Sequence, residues 1–325
     1  MANVTTIDVT DTYGSGNFPL NVNGVYDLVE TIASQNIRAV KSVNPIEDAF
    51  YEYDVKDGSV IEEAIIAMAN KQAFVNTGAP DLKPLDPTIY VKYFNHWEKK
   101  QFQTTTRITD IRNIIANKGV GFEEVISQIL STLSEGEGYE DMQSMLKIFS
   151  DLPDDAGFDD ASVVLFDNKY PASAKGIIYC AREMYNALKS TNTISGVPTA
   201  QATPVEDIRI AIPESILNLI DVTELANVFN LSKEELFGKL VVLPLADGNT
   251  LPNVNNTIYV YDRKALGRGT RLFEYSQDKI GKGLYTNHYL TTDRIYFVNR
   301  LFKGLMLNCY TAITAEKANL LATGE

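Results

Sequence analysis

The chain has 325 residues, 45% of them apolar, and carries a formal charge of -13 from 29 Lys and Arg against 42 Asp and Glu. That apolar share excludes a disordered chain and suffices for a sizeable core, in two lobes at this length. The acidic balance argues against wrapping nucleic acid with the general surface, although an acidic protein can enclose DNA where local cations face it.

The opening stretch, MANVTTIDVTDTYGSGNF, has no basic start and no apolar run of signal-peptide length. No apolar segment of the sequence is long enough to span a bilayer, so a soluble, non-secreted chain with no membrane partner is expected. Rich in Thr, Asn and Gly, the first residues are expected to gain order by docking on a neighbouring subunit. Val25 to Ile32 suits a short helix, and Ile37 to Val43 a strand that ends at Asn44-Pro45. Tyr51, Tyr53 and Val55 then alternate with Glu52 and Asp54, Asp57-Gly58 is a hairpin-type turn, and VIEEAII follows. After Pro80, Pro84 and Pro87 comes a further extended stretch, Thr88 to Phe94. From about Phe50 to Gln103 the pattern is a projecting two-stranded excursion, which is marginal alone and needs a partner surface.

Phe122, Val125, Ile126, Ile129, Leu130 and Leu133 follow helical spacing, and Tyr139, Met142, Met145, Leu146 and Phe149 continue the stripe. Between them stands Glu135-Gly136-Glu137-Gly138, where a break or kink is expected. Ser162 to Phe166 reads as a strand, Ala174 to Leu188 as an amphipathic helix, and TNTISGVPTAQATP as a linker. Ile208 to Ile212 is a strand with a helix starting near Glu214. Ser232 and Glu235 form a capping box for one helical turn that Gly238 stops, before the strand KLVVLP. The strand TIYVYD follows an Asn-rich loop, and LTTDRIYFVNRLFKGLMLNCYTAI alternates in a way that suits buried strands.

Little here points to bound cofactors. Gly267-Arg268-Gly269 and Gly281-Lys282-Gly283 suggest a phosphate cradle, but Lys282 is followed by Gly283 and Leu284 rather than by Ser or Thr. The dinucleotide pattern fails as well, at Leu272. These glycines read instead as turn residues beside solvated cations. His96 and His288 have no second imidazole at ligand spacing, and Asp154, Asp155, Asp159 and Asp160 lack the order of a calcium loop. Cys180 and Cys309 sit in apolar stretches without a CxxC motif and read as reduced core residues. Tyr90, Tyr93, Phe94 and Trp97 have strand periodicity and suit an interface or core better than base stacking. No catalytic centre, metal or cofactor is expected.

The order of parts, an arm, a projecting hairpin, a long helix, a compact lobe and return strands, resembles the Hong Kong 97 type of viral capsid subunit. The residues narrow this to the major capsid proteins of short-tailed phages of the phi 29 group. The strongest block is IPESILNLIDVTELANVFNLSKEELFGKLVVLP at Ile212 to Pro244, supported by Gly58 with Ile61-Glu62-Glu63 and by Gly283-Leu284-Tyr285 with Asn287 and Tyr289. The resemblance implies an α+β, Hong Kong 97-like fold. Its parts would be an N-terminal arm and first strand (1–45), an extended loop (46–107), a peripheral domain with a spine helix (108–195), an axial domain (196–286) and return strands (287–325). It implies a structural protein rather than an enzyme, found in the virion capsid and assembled in the bacterial host cytoplasm. The expected partners are other copies in pentamers and hexamers, a scaffolding protein, a portal and packaged double-stranded DNA. Glu62, Glu63, Tyr90, Tyr93, Trp97, Arg268, Arg271 and Lys282 are the candidate contact residues. The member that names the group carries an immunoglobulin-like extension after this core, so its surface decoration is not carried over, and neither is covalent cross-linking. An encapsulin-type compartment and a nucleotide-binding enzyme are the alternative readings.

Overall fold

In a computed structural model the described residues are 44–55, 60–69, 86–107, 122–153, 158–191, 201–220, 239–246, 251 and 253–323. The arm, the helix expected at Val25 to Ile32, the strand at Ile37 to Val43, the Asp57-Gly58 turn, most of the linker and the Ser232 capping box lie outside them. Two compact units divide the chain. One holds the described parts of Lys99–Glu140 and Leu272–Asp293, the other those of Asn44–Glu98, Asp141–Arg271 and Arg294–Glu325.

The second unit is built on a five-stranded sheet. Its members are β5 (Asp159–Asp160), β6 (Ile208–Pro213), β7 (Leu240–Leu243), β8 (Thr257–Asp262) and β11 (Gly304–Asn308), in the order β5-β11-β8-β6-β7. The β11–β8 and β8–β6 pairs are antiparallel, whereas β6–β7 and β11–β5 are parallel. Strand periodicity sorts the side chains between two cores. Ile208, Ile210, Ile212, Ile258 and Val260 point to one face. There they meet Ile177, Ala181 and Met184 of helix α3 (Ala174–Lys189) and Ala312 and Ile313 of helix α5 (Tyr310–Thr323). Ala211, Tyr259 and Tyr261 point to the other face, against Met145, Leu146 and Phe149 of helix α1 (Phe122–Asp151). Covered on both sides, the sheet reads as near-continuous apolar runs in sequence. Cys180 and Cys309 are free thiols in the first of these cores, and burial pushes both thiols above their ordinary pKa.

Three expectations about helices and their limits need correction. Helix α1 is continuous through Gly136 and Gly138. Two glycines cost about 1 kcal/mol each relative to Ala, too little to break a thirty-residue helix with a packed face. Ser162 to Phe166 is not a strand: Ala161–Leu165 is the short helix α2, because the Asp160 carboxylate accepts the Ser162 N–H at 2.8 Å and caps it. The C-terminal alternation also stops earlier than expected, at Asn308, where the Asn308 side chain accepts the Tyr310 N–H at 2.9 Å and α5 begins.

The remaining strands are β1 (Tyr51–Asp54), β2 (Ile61–Ile66), β3 (Ile89–Phe94), β4 (Glu98–Arg107), β9 (Leu266–Ile280) and β10 (Tyr285–Val298); α4 is the single turn Glu214–Leu217. A second sheet has the order β1-β9-β10-β4, and among the described residues β2 pairs with β3 alone in a two-stranded antiparallel ribbon. Gly267 and Gly269 are strand residues of β9, paired in parallel with Tyr51 and Tyr53, and not turn residues as expected. The Phe297 ring lies over Gly267, where a Cβ would collide with it, so bare backbone is required on that face. Gly281–Gly283 does form the tight turn between β9 and β10, closed by Leu284 in the left-handed region at φ 53°.

Candidate functional site

The β2–β3 ribbon has two unlike faces, fixed by its register. Ile61 pairs with Phe94, Glu63 with Lys92 and Ile65 with Tyr90. Of these side chains, Ile61 is buried beside Ile295 and Phe297, with Tyr53, Val55, Phe94 and Trp97 packed against the cluster. The Phe94 and Phe297 rings stack with centroids 3.8 Å apart. Glu63 is anchored within its own subunit: Tyr53 donates its hydroxyl proton to it at 3.1 Å, and Lys264 lies 3.6 Å away. Burial first, and the Glu63 carboxylate second, hold the Tyr53 phenol above its ordinary pKa.

The opposite face carries Glu62, Ala64 and Ile66 from β2 and Ile89, Val91 and Tyr93 from β3, and all six are exposed. Ile66 and Ile89 are register partners at 55% and 56% exposure, and Tyr93, opposite Glu62, is 65% exposed. Leaving aliphatic and aromatic side chains side by side in water on a thin ribbon is unfavourable by about 25 cal/mol per Å² of apolar surface. A partner that covered them would recover that energy.

The other expected contact residues differ in exposure and in what they touch. Tyr90 is partly exposed on the anchored face of the ribbon. Trp97 is half-buried at the ribbon's base, with the Arg271 guanidinium 4.8 Å from its ring centroid. Lys282 is exposed in the turn after β9. Arg268 is different, for its side chain is 7% exposed and its charge is matched inside the subunit. It pairs with Glu47, with Glu52 at 3.3 Å and with Asp141 of α1 at 3.5 Å. The Asp141 carboxylate also accepts from Asn44 at 2.6 Å and from Arg294 and Tyr296. Gly267 and Gly269 face the ring side of β9 and Arg268 the opposite side, so the triplet read as a solvated turn is a strand with a buried cation.

Among the described residues, no group of three or more potential ligands could hold a metal ion, and no helix is long and apolar enough to cross a membrane. The surface that stands out is the uncovered ribbon face, which suits it to contact with another chain.

Comparison with solved structures places the fold. The chain is similar to one in the capsid of Staphylococcus phage Andhra, with a TM-score of 0.63 at 12% identity over 83% of this chain and 85% of that one. It is similar to one in the head fibre and inner core structure of native bacteriophage P68, at TM-score 0.58, 11% identity and the same 83% and 85% coverage. A chain from the head of Helicobacter pylori bacteriophage KHP40 matches at TM-score 0.53 and 9% identity, over 80% and 88%. At such identities these likenesses speak for the fold, a Hong Kong 97-type α+β architecture. No curated protein matches the sequence. The model of the Phi29-like phage major capsid proteins matches residues 1–306. With nearly the whole sequence matched and the fold of a capsid subunit around it, the chain belongs to the Phi29-like phage major capsid protein family and is a building block of a phage capsid shell.

Proposed function

We propose that copies of this shell protein form the pentamers and hexamers of an icosahedral head around packaged double-stranded DNA. In this reading the head is assembled in the bacterial cytoplasm with a scaffolding protein and a portal. Residues 1–45 act as the arm, 46–107 as the extended loop, 108–195 as the peripheral domain with its spine helix, 196–286 as the axial domain and 287–325 as return strands. The subunit works through interface geometry rather than turnover. The observation that carries this reading is the uncovered face of the β2–β3 ribbon, where Ile66, Ile89, Val91 and Tyr93 are exposed together while the opposite face is anchored through Ile61 and Glu63. A ribbon fixed on one side and apolar on the other is suited to clasp a second copy. Glu62, Tyr93, Trp97, Arg271 and Lys282 are the contact residues of this scheme, with Tyr90 partly exposed on the anchored face. Family membership disfavours the encapsulin reading.

The test is replacement of the register pair Ile66 and Ile89 by Asp, followed by sedimentation velocity, negative-stain microscopy and circular dichroism. The expected result is a folded subunit with unchanged thermal unfolding and few or no shells. Shells at wild-type yield would refute the clasp.

A further inference from the structure

We infer that the exposed face of α3 is a contact strip for the phosphate backbone of double-stranded DNA enclosed by the shell; this rests on the head reading above. Among the longer helices of the described residues α3 is the basic one. Its sixteen residues carry Lys175, Arg182 and Lys189 against the single carboxylate Glu183, which is half-buried. Helix α1, by contrast, carries Glu123, Glu124, Glu135, Glu137, Glu140, Asp141 and Asp151 against Lys147 alone. In a chain of formal charge -13, such a concentration of cations is local.

Position on the helix makes the three cations a row. Seven residues advance a helix by nearly two turns, about 700°, so each cation is offset by only about 20° from the one before and lies about 10.5 Å further along. Tyr179 and Asn186, also exposed, fall at intermediate positions on the same arc. The other side of α3 is fully committed: Ile177, Ile178, Ala181, Met184, Tyr185 and Leu188 are buried against the five-stranded sheet. This face is therefore fixed by the core, and the row of Lys175, Arg182 and Lys189, about 21 Å from end to end, is presented on a rigid element. Lys189 is further steadied by the Tyr185 ring, 5.5 Å from its ammonium group to the centroid.

The chemistry of the row favours nucleic acid over another copy of the chain. Between subunits, the buried centre of a contact is enriched in aliphatic and aromatic groups and depleted of Lys. The α3 face has no exposed aliphatic side chain between Lys175 and Lys189, and Tyr179 is its only exposed aromatic. A duplex presents one negative charge per about 1.7 Å of its axis, so roughly twelve phosphates run past a strip of this length. Cations on flexible stems about 10.5 Å apart can each find one without sequence readout. The ribbon face, with its isoleucines, has the opposite character and suits a protein partner.

The experiment measures fluorescence anisotropy of a labelled 30-base-pair duplex against the purified full-length chain across a salt titration. It compares the wild type with Lys175→Gln, Arg182→Gln, Lys189→Gln and the triple variant. Neutralising one phosphate contact lowers the slope of log affinity against log salt by about 0.9, so the triple variant should lose about 2.7 and each single variant about 0.9. The single variants keep the readout decisive even if the triple variant loses its fold by circular dichroism. A wild-type chain without salt-dependent binding overturns the strip, as do variants whose slopes equal the wild type's. Wild-type slopes together with lost shells would make the row a contact between copies, which also overturns it. Shell formation by the wild type, scored separately by microscopy, tests the head reading independently.

Discussion

The edge of the Phe297 ring fills the space that a side chain on Gly267 would occupy, and the face of the same ring stacks on Phe94 at the base of the ribbon. Gly267→Ala must therefore push this ring away and disturb the cluster of Ile61, Ile295 and Phe297. Overpacking of this kind costs about 1–3 kcal/mol. The expected outcome is a lowered melting temperature that Phe297→Leu, introduced in the same chain, partly restores. An unchanged melting temperature in the single variant would contradict the packing described.

Arg268 separates the worth of a buried pair from that of a solvated one. Asp141 has a side chain 5% exposed, whereas Glu52, at a similar distance from the same guanidinium, is 59% exposed. Asp141→Asn leaves Arg268 and Arg294 without their shared carboxylate, and breaking a buried pair costs about 3–5 kcal/mol. Glu52→Gln should cost less than about 1 kcal/mol. Denaturant unfolding of the two variants side by side checks the ordering, which equal losses would contradict.

His288 makes stability fall in acid. Its ring lies between β4 and β9, with Nε2 hydrogen-bonded to the Thr106 hydroxyl and Nδ1 to the Tyr275 hydroxyl at 2.5 Å, and burial lowers its pKa from 6.5 to about 4. Between those values the unfolded chain binds a proton that the folded chain does not, so this group removes stability progressively as pH falls from 6.5 towards 4 and no further below that. Thermal unfolding of the wild type should drop across this window. A His288→Gln variant, although less stable at neutral pH, should show a shallower drop; parallel curves would assign the acid sensitivity elsewhere.

Neighbouring carboxylates of the ribbon should respond differently to charge reversal. Glu63→Lys sets a cation beside Lys264 and removes the acceptor of the Tyr53 hydroxyl, so the subunit itself should lose stability, by roughly 1–3 kcal/mol. Glu62→Lys alters only the exposed face and should leave melting unchanged while reducing shell yield. Sedimentation velocity beside thermal melts distinguishes the two, and a destabilised Glu62→Lys subunit would contradict the two-faced ribbon.

Alternation made most of the sheet legible in advance: Ile208, Ile210 and Ile212 announce a strand because a covered sheet writes its faces into sequence at period two. Ser162 to Phe166 misled because Val163 and Val164 favour strands by propensity, while the Asp160 carboxylate, a single capping group, decides for a helical turn. The role of Arg268 was hidden for another reason. Its partners Asp141 and Glu47 stand 127 and 221 residues away in sequence, and no local pattern reports on such pairs. A cue was nonetheless present in a lone cation between two glycines inside an extended segment, where bare backbone serves one face and the cation the other. The ribbon face was legible as strands but not as an unequal pair of surfaces, since that inequality comes from Ile295 and Phe297 far along the chain.

The parallel pairing of β1 with β9 joins Glu52 to Arg268 across 216 residues. At a synthesis rate of about 5–20 residues per second, the first strand waits roughly 10–40 s for its partner to leave the ribosome. During that interval Tyr51 and Tyr53 have no native sheet to join, and the closure entropy of the intervening chain is not yet offset by contacts. The sheet β1-β9-β10-β4 therefore cannot close before the C-terminal third of the chain has been made, whatever the speed of any helix.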